Sequence, residues 1–71
     1  MTPGDYLAYV RDPNMYGVLL FVSIDRKNGL IVCDDTAGDR WLFEPQELDY
    51  ASKYYTAQVI EQAEPHLAST E

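Results

Sequence analysis

Acidic side chains crowd the middle of the chain, where they could act as acids, bases or cation ligands. Against the single base Arg40, residues 34 to 49 hold Asp34, Asp35, Asp39, Glu44, Glu47 and Asp49. If Gly38 is the glycine of a calcium-binding loop, Cys33 and Ala37 stand where that loop needs carboxylates, so a calcium loop is excluded. Three interpretations are left: a docking patch for lysine and arginine, an imitation of a phosphate backbone, and a solvated rim that keeps a small domain soluble.

Catalytic and metal-binding arrangements lack the partners they need. Cys33 is the only cysteine and His66 the only histidine, so neither a thiolate metal cage nor a Ser-His-Asp arrangement is predicted. We expect no catalytic residue, no metal and no cofactor. A lone cysteine indicates a reducing compartment, and the first residues show neither a basic stretch nor a long apolar run. We therefore expect a cytoplasmic protein that does not bind membranes.

The charge balance narrows the class of partner. The 71 residues include 12 Asp and Glu against 5 Lys and Arg, which gives a net charge of -7. A negative field repels phosphate backbones, which disfavours direct nucleic-acid binding, and it speeds encounter with basic surfaces. With 46% apolar and 13% aromatic residues, the chain is expected to fold as one small domain with a modest core. A basic protein or peptide is the predicted partner.

Short strands separated by turn residues fill most of the chain. Apolar residues recur with period two on one face of the most regular strand, at Val18, Leu20, Val22 and Ile24. Leu19 and Phe21 make the other face apolar as well, which is typical of a central strand. The Asn28-Gly29 pair favours the positive φ values of a tight hairpin turn. We predict strands over residues 5–11, 17–25, 30–34 and 39–43, and one helical turn over 44–48.

The C-terminal third fits two patterns. One is a helix whose face would hold Leu48, Ala51, Tyr55, Val59 and Ala63. The other is a strand over residues 54–61, with alternate side chains on one side. Because tyrosine, threonine, valine and isoleucine are weak helix formers, we expect the strand. The domain is then assigned to residues 1–62, followed by a flexible tail over 63–71.

Several short motifs follow one another along residues 4–61. They are Gly4-Asp5 before the first strand, Gly17-Val18, Asp34-Asp35, Trp41-Leu42-Phe43 and the turn from Pro45 to Leu48. In this order they resemble the SH3-like barrel superfamily, which includes Tudor and KOW-type domains. The resemblance implies an all-β fold, a small five-stranded SH3-like barrel with one short helical turn before the last strand.

The same resemblance implies a set of binding residues. In this superfamily, aromatic side chains at strand ends and in the first loop often contact peptides, methylated side chains or neighbouring subunits. The corresponding aromatic residues here are Tyr6, Tyr9, Tyr16, Trp41 and Phe43. We expect Tyr16 and Trp41 to be the apolar anchors of a non-catalytic protein-protein interaction module. Its acidic residues would steer the basic partner, foremost Asp34, Asp35 and Asp39.

Two alternatives stay open from the sequence. One is a small acidic inhibitor that mimics nucleic acid and blocks a basic groove, which would require carboxylates in a phosphate-like row. The other is an accessory subunit or homodimer, suggested by Leu19 and Phe21 because a core this small need not hide both faces of a strand.

Overall fold

The computed structural model describes residues 1–68. Five strands and two helices follow one another, with 3-10 turns on either side of the last strand. They are β1 (Tyr6–Tyr9), α1 (Pro13–Tyr16), β2 (Leu19–Asp25), β3 (Leu30–Asp34), β4 (Arg40–Phe43), the turn Pro45–Glu47, β5 (Leu48–Tyr50), the turn Ala51–Lys53 and α2 (Ala57–Ala68). Neither helix is long and apolar enough, within the described residues, to span a bilayer.

The strands form one antiparallel sheet in the order β4-β3-β2-β1-β5. Strands β4 and β5 are its edges, and no ladder joins them within residues 1–68. The expectation of a mainly β fold is therefore roughly confirmed, but the closed barrel is not formed. Strand β5 is only three residues long, and the chain turns away at Ala51 before it can reach β4.

The sheet is nevertheless strongly curled. Strands β1 and β4 are three positions apart, which on a flat sheet would separate their side chains by about 14 Å. The ring centroids of Tyr9 on β1 and Phe43 on β4 lie only 5.5 Å apart. The sheet thus wraps around a first core, which consists of Leu7, Leu19, Phe21, Ile31, Cys33, Phe43 and Leu48.

Strand β2 is central, and the apolar residues of its first half pack on both faces of the sheet, as its sequence predicts. Leu19 and Phe21 belong to the first core, whereas Leu20 packs against a second core on the opposite face. A bulge between Phe21 and Ser23 shifts the alternation by one residue. Ile24 consequently pairs with Ile31 and lies on the same face as Phe21. The predicted single face through Ile24 is wrong beyond the bulge.

Helix α2 replaces the strand expected over residues 54–61. The Thr56 hydroxyl accepts a hydrogen bond from the Val59 amide at 3.3 Å, in the manner of an N-cap. Ile60, Ala63 and Leu67 follow at helical spacing and pack on the second core beside Val18. Packing of this face outweighs the weak intrinsic propensity of the segment.

The tail expected from residue 63 is also corrected. Residues 63–68 continue helix α2, and the side chain of Leu67 is fully buried. Leu67 is therefore part of the second core, because its apolar surface is removed from water by packing against the sheet. Residues 69–71, the rest of the expected tail, lie outside the described residues.

Candidate functional site

Four predicted aromatic residues meet on the concave face of the sheet. Tyr9 comes from β1, Tyr16 from α1, and Trp41 and Phe43 from β4. We call these four residues the aromatic cluster. The Tyr16 ring is its centre, with centroid distances of 5.1 Å to Tyr9, 5.0 Å to Trp41 and 5.2 Å to Phe43. The interplanar angles of these three pairs are 88°, 61° and 84°, the edge-to-face geometry that aromatic quadrupoles favour.

The rings fill the space between them instead of framing a cage. The described residues enclose no pocket. Phe43 is buried and Tyr9 and Tyr16 are half-buried, whereas Trp41 keeps 39% of its surface exposed. A partner would therefore contact the outer edge of the cluster, mainly the Trp41 ring, and would not insert a side chain into it.

Helix α1 places Tyr16 in the cluster. Its first turn is capped by Asp12, whose side chain accepts a hydrogen bond from the Asn14 amide at 3.2 Å. Pro13 occupies the first helical position, and Gly17 ends the helix with a φ of 73°. The Tyr55 hydroxyl donates a hydrogen bond to the Pro13 carbonyl. Tyr55, in the segment before α2, thus holds the first residue of α1 in place.

Asp35 holds both the turn before β4 and the indole of Trp41. Its carboxylate accepts hydrogen bonds from the Trp41 Nε1 at 2.8 Å and from the amides of Ala37 and Asp39, each at 2.9 Å. Burial raises the pKa of this carboxyl, but the bonds from Trp41 and the turn amides outweigh it and hold the pKa below its ordinary value. Asp35 therefore positions the exposed Trp41 ring from the inside.

Asp34 is also engaged within the chain. It is buried and pairs with Arg40 through Nε at 2.8 Å and Nη2 at 3.2 Å. The Arg40 pKa is raised by that hydrogen bond and by the charge of Asp34. Asp34 and Asp35 were expected to steer a basic partner and fix its orientation, and in this geometry both carboxylates already accept internal donors. Asp39 differs, since its side chain is exposed and has no side-chain partner within residues 1–68.

Tyr6 lies apart from the aromatic cluster. It packs on the second core, and its hydroxyl donates a hydrogen bond to Glu64 of α2 at 3.4 Å. Burial, followed by the Glu64 charge, raises the pKa of the Tyr6 hydroxyl. Tyr6 thus attaches α2 to the sheet, and it is the predicted aromatic residue that the structure separates from the others.

Leu42 was missed by the sequence reasoning. It lies on the face of β4 opposite to Trp41 and is 56% exposed. Its position between two aromatic residues of an edge strand was the available signal, because alternate side chains of a strand point to opposite faces. Glu44, which follows β4 directly, is exposed too.

Chemistry at the remaining polar groups is limited. Burial, with a smaller effect of the Asp34 charge, raises the pKa of the Cys33 thiol to about 12, so the thiolate is scarce at neutral pH. Among the described residues, no three His, Cys, Asp or Glu side chains come together in a way that could hold a metal ion. The aromatic cluster with its acidic surroundings is thus the best-defined candidate site.

No protein-family model, curated protein or solved structure matches the chain. A function for this protein therefore rests on the geometry of the aromatic cluster, on the charges around it and on the exposed edge of the sheet.

Proposed function

We propose that this protein is a non-catalytic interaction module that docks a basic protein or peptide against the outer edge of the aromatic cluster. The observation that carries the proposal is the environment of the Trp41 ring, which is hydrogen-bonded to Asp35 and packed against Tyr16 and is still 39% exposed. Large rings fixed before binding lose little conformational entropy and supply much of the energy of protein interfaces.

The charges near the cluster support a basic partner. Arg40 is the only basic residue from 28 to 52, and its guanidinium is engaged by Asp34. Asp39 and Glu44 are exposed at the two ends of β4. An approaching lysine or arginine would therefore meet unopposed negative charge around the Trp41 ring, which favours fast encounter and fixes orientation.

The sheet order is consistent with a distant relation to the SH3-like superfamily, which is part of the proposal. The order β4-β3-β2-β1-β5 and the 3-10 turn Pro45–Glu47 directly before β5 support it. Such a relation agrees with a binding role but does not define a ligand. A reducing, cytoplasmic setting also belongs to the proposal, since the single cysteine is buried as a thiol.

The two alternatives gain less support. A nucleic-acid mimic needs outward carboxylates in a row, yet Asp34 and Asp35 are buried and accept internal hydrogen bonds. The homodimer or accessory subunit was suggested by Leu19 and Phe21, and both side chains are buried within the first core of this same chain.

Capture of partners from native cell lysate tests the proposal. The wild-type chain should retain at least one basic protein, and Trp41→Ala should weaken its binding by about 30-fold, the loss expected for an interface anchor worth about 2 kcal/mol. Raising the ionic strength should weaken the same contact, because exposed charges are screened. Quantitative mass spectrometry of the retained fraction measures both effects.

Val59→Ala is the matched control for this experiment. The exposed fraction of Val59, 42%, is similar to that of Trp41, 39%. Val59, however, lies on α2, on the opposite side of the sheet from the aromatic cluster. Both variants are first checked for an intact fold by their NMR spectra. Equal retention of the same proteins by wild type, Trp41→Ala and Val59→Ala would contradict docking at the cluster.

A further inference from the structure

Strand β4 offers an uncovered backbone edge beside the aromatic cluster. It pairs with β3 alone, through the register Ile31↔Phe43 to Asp34↔Arg40. The N–H and C=O groups on its other side therefore have no neighbouring strand among residues 1–68. Such an edge is a template for one more strand.

Strand β4 is only four residues long, which itself limits pairing at the edge, but several other devices that block an edge are missing from it. Its register on β3 contains no bulge, and its sequence Arg40–Phe43 contains neither proline nor lysine. The one charged side chain, Arg40, is held by Asp34 on β3. Arg40 and Leu42 are exposed on one face of the strand, and on the other face Trp41 packs on Tyr16 but keeps 39% of its surface exposed.

The apolar side chains of β4 are available on both faces. Trp41 is exposed on the concave face, and Leu42, 56% exposed, on the opposite one. Side chains of paired strands stand beside each other on the same face. A strand added to β4 would therefore place one apolar residue beside Trp41 and the next beside Leu42, on the other side of the sheet.

Charge decides which strand fits this edge. Asp39 precedes β4 and Glu44 follows it, and both are exposed. In an antiparallel pair of two β4 strands, Asp39 of one copy would lie near Glu44 of the other, and each chain carries a net charge of -7. A second copy is thus disfavoured, whereas a segment with lysine or arginine at both ends matches the edge.

We propose that an extended segment of the basic partner adds to β4 as a sixth strand, with apolar residues beside Trp41 and Leu42 and basic residues near Asp39 and Glu44. This inference rests on the proposed docking function and names its mode of recognition. Backbone hydrogen bonds would provide much of the affinity, and the alternating apolar positions and end charges would provide the specificity.

The probe for the test is the synthetic peptide acetyl-Lys-Thr-Val-Val-Tyr-Lys-amide, titrated into the full ¹⁵N-labelled chain; its two valines would lie beside Trp41 and Leu42. Two further versions carry N-methyl groups on alternate residues. One version is methylated at the odd-numbered peptide residues and the other at the even-numbered ones. Alternate amides of an added strand point toward or away from its neighbour. One methylated version should therefore bind at least about tenfold more weakly than the parent, and the other should bind like it.

The NMR shifts locate the contact and decide the outcome. The parent peptide should shift the amides of β4 and leave those of β5, the other edge, unchanged. A version with glutamate in place of both lysines should bind at least about tenfold more weakly. Equal binding of both methylated versions, or no shift in β4 with the parent at millimolar concentration, would overturn strand addition. The docking proposal itself is decided separately, by the loss of captured proteins with Trp41→Ala.

Discussion

Asp35 shows how a single buried carboxylate can fix the surface of the proposed docking site from the inside. It accepts bonds from the turn and from the Trp41 indole, so the polar atom of the ring is satisfied before any partner arrives. Only the apolar part of the ring is then offered to solvent, and binding need not desolvate an unpaired N–H group. Asp35 therefore stabilises the fold, and it also fixes the ring that the docking proposal depends on.

The bonds to Asp35 predict how stability changes with pH. The pKa of its carboxyl is lower in the folded chain than the ordinary value of 3.8. The carboxylate therefore stabilises the fold above that unfolded-state value, and the stabilisation is lost as pH falls through the lower folded-state pKa. The free energy of unfolding, measured by urea denaturation, should decrease as pH is lowered from about 5 toward 2.

Asp35→Asn identifies the source of that change. At neutral pH the variant should lose about 1–3 kcal/mol of unfolding free energy, because an amide replaces a charged acceptor. Its stability should also vary less with acid pH than that of wild type. Asp39→Asn, at an exposed position whose side chain has no partner among residues 1–68, should stay within about 0.5 kcal/mol of wild type. Identical pH profiles for Asp35→Asn and wild type would refute the assignment.

The sequence did not predict which way the carboxylates of Asp34 and Asp35 point, nor which donors they bind. The resemblance to SH3-like barrels indicated five aromatic candidates, and the curled sheet brings four of them together, Tyr9, Tyr16, Trp41 and Phe43, but not Tyr6. Asp34 and Asp35 are adjacent, and adjacent side chains of an extended chain point in opposite directions. They therefore engage different donors, Arg40 and Trp41, which residue charge could not reveal.

At the scale of elements, local patterns predicted the hairpins but not the helix. Strands β2, β3 and β4 follow from alternation and from turn residues at Gly29 and Gly38, both of which adopt positive φ. Helix α2 depends instead on a partner surface. Ile60, Ala63 and Leu67 form a helical face only because the opposite side of the sheet receives them. Tertiary packing of this kind is invisible to intrinsic propensity.

Leu67 is the residue that tests this dependence. Its side chain is fully buried in the second core, so Leu67→Ala removes apolar contacts and leaves a cavity. We expect a loss of about 2–5 kcal/mol of unfolding free energy. Denaturation followed by circular dichroism measures the loss and shows whether helix signal disappears before the sheet unfolds. Val59→Ala, half-exposed on the same helix, should change stability by less than about 0.5 kcal/mol. Equal effects of the two variants would argue against docking of α2 through Leu67.

At the scale of the whole molecule, an open, curled sheet explains why the candidate site lies at one edge. Curling brings β1 and β4 close enough for Tyr9 and Phe43 to touch, while the short β5 and the turn at Ala51 keep the sheet from closing. A closed barrel would have paired the backbone of β4. The same incomplete closure leaves both the Trp41 ring and the strand edge accessible to a partner.

The net negative charge of the chain should destabilise its fold but strengthen the proposed binding of a basic partner. A charge of -7 on 71 residues destabilises the compact chain through self-repulsion, and salt screens that repulsion. The thermal midpoint should therefore rise between low ionic strength and about 0.5 M NaCl, by about 4–8 °C for each kcal/mol gained. Binding of the proposed basic partner should weaken over the same range. If salt released the partner by unfolding this protein, the thermal midpoint would fall with added NaCl instead of rising.

A variant of reduced charge serves as the control for this experiment. Asp39→Asn combined with Glu61→Gln changes two exposed carboxylates without side-chain partners in the described residues and moves the net charge from -7 to -5, since two negative charges are removed. Its midpoint should be higher than that of wild type at low salt, and it should respond less to added NaCl. A midpoint that falls with salt in both proteins would mean that paired charges, such as Asp34 with Arg40, stabilise the fold more than the net charge destabilises it.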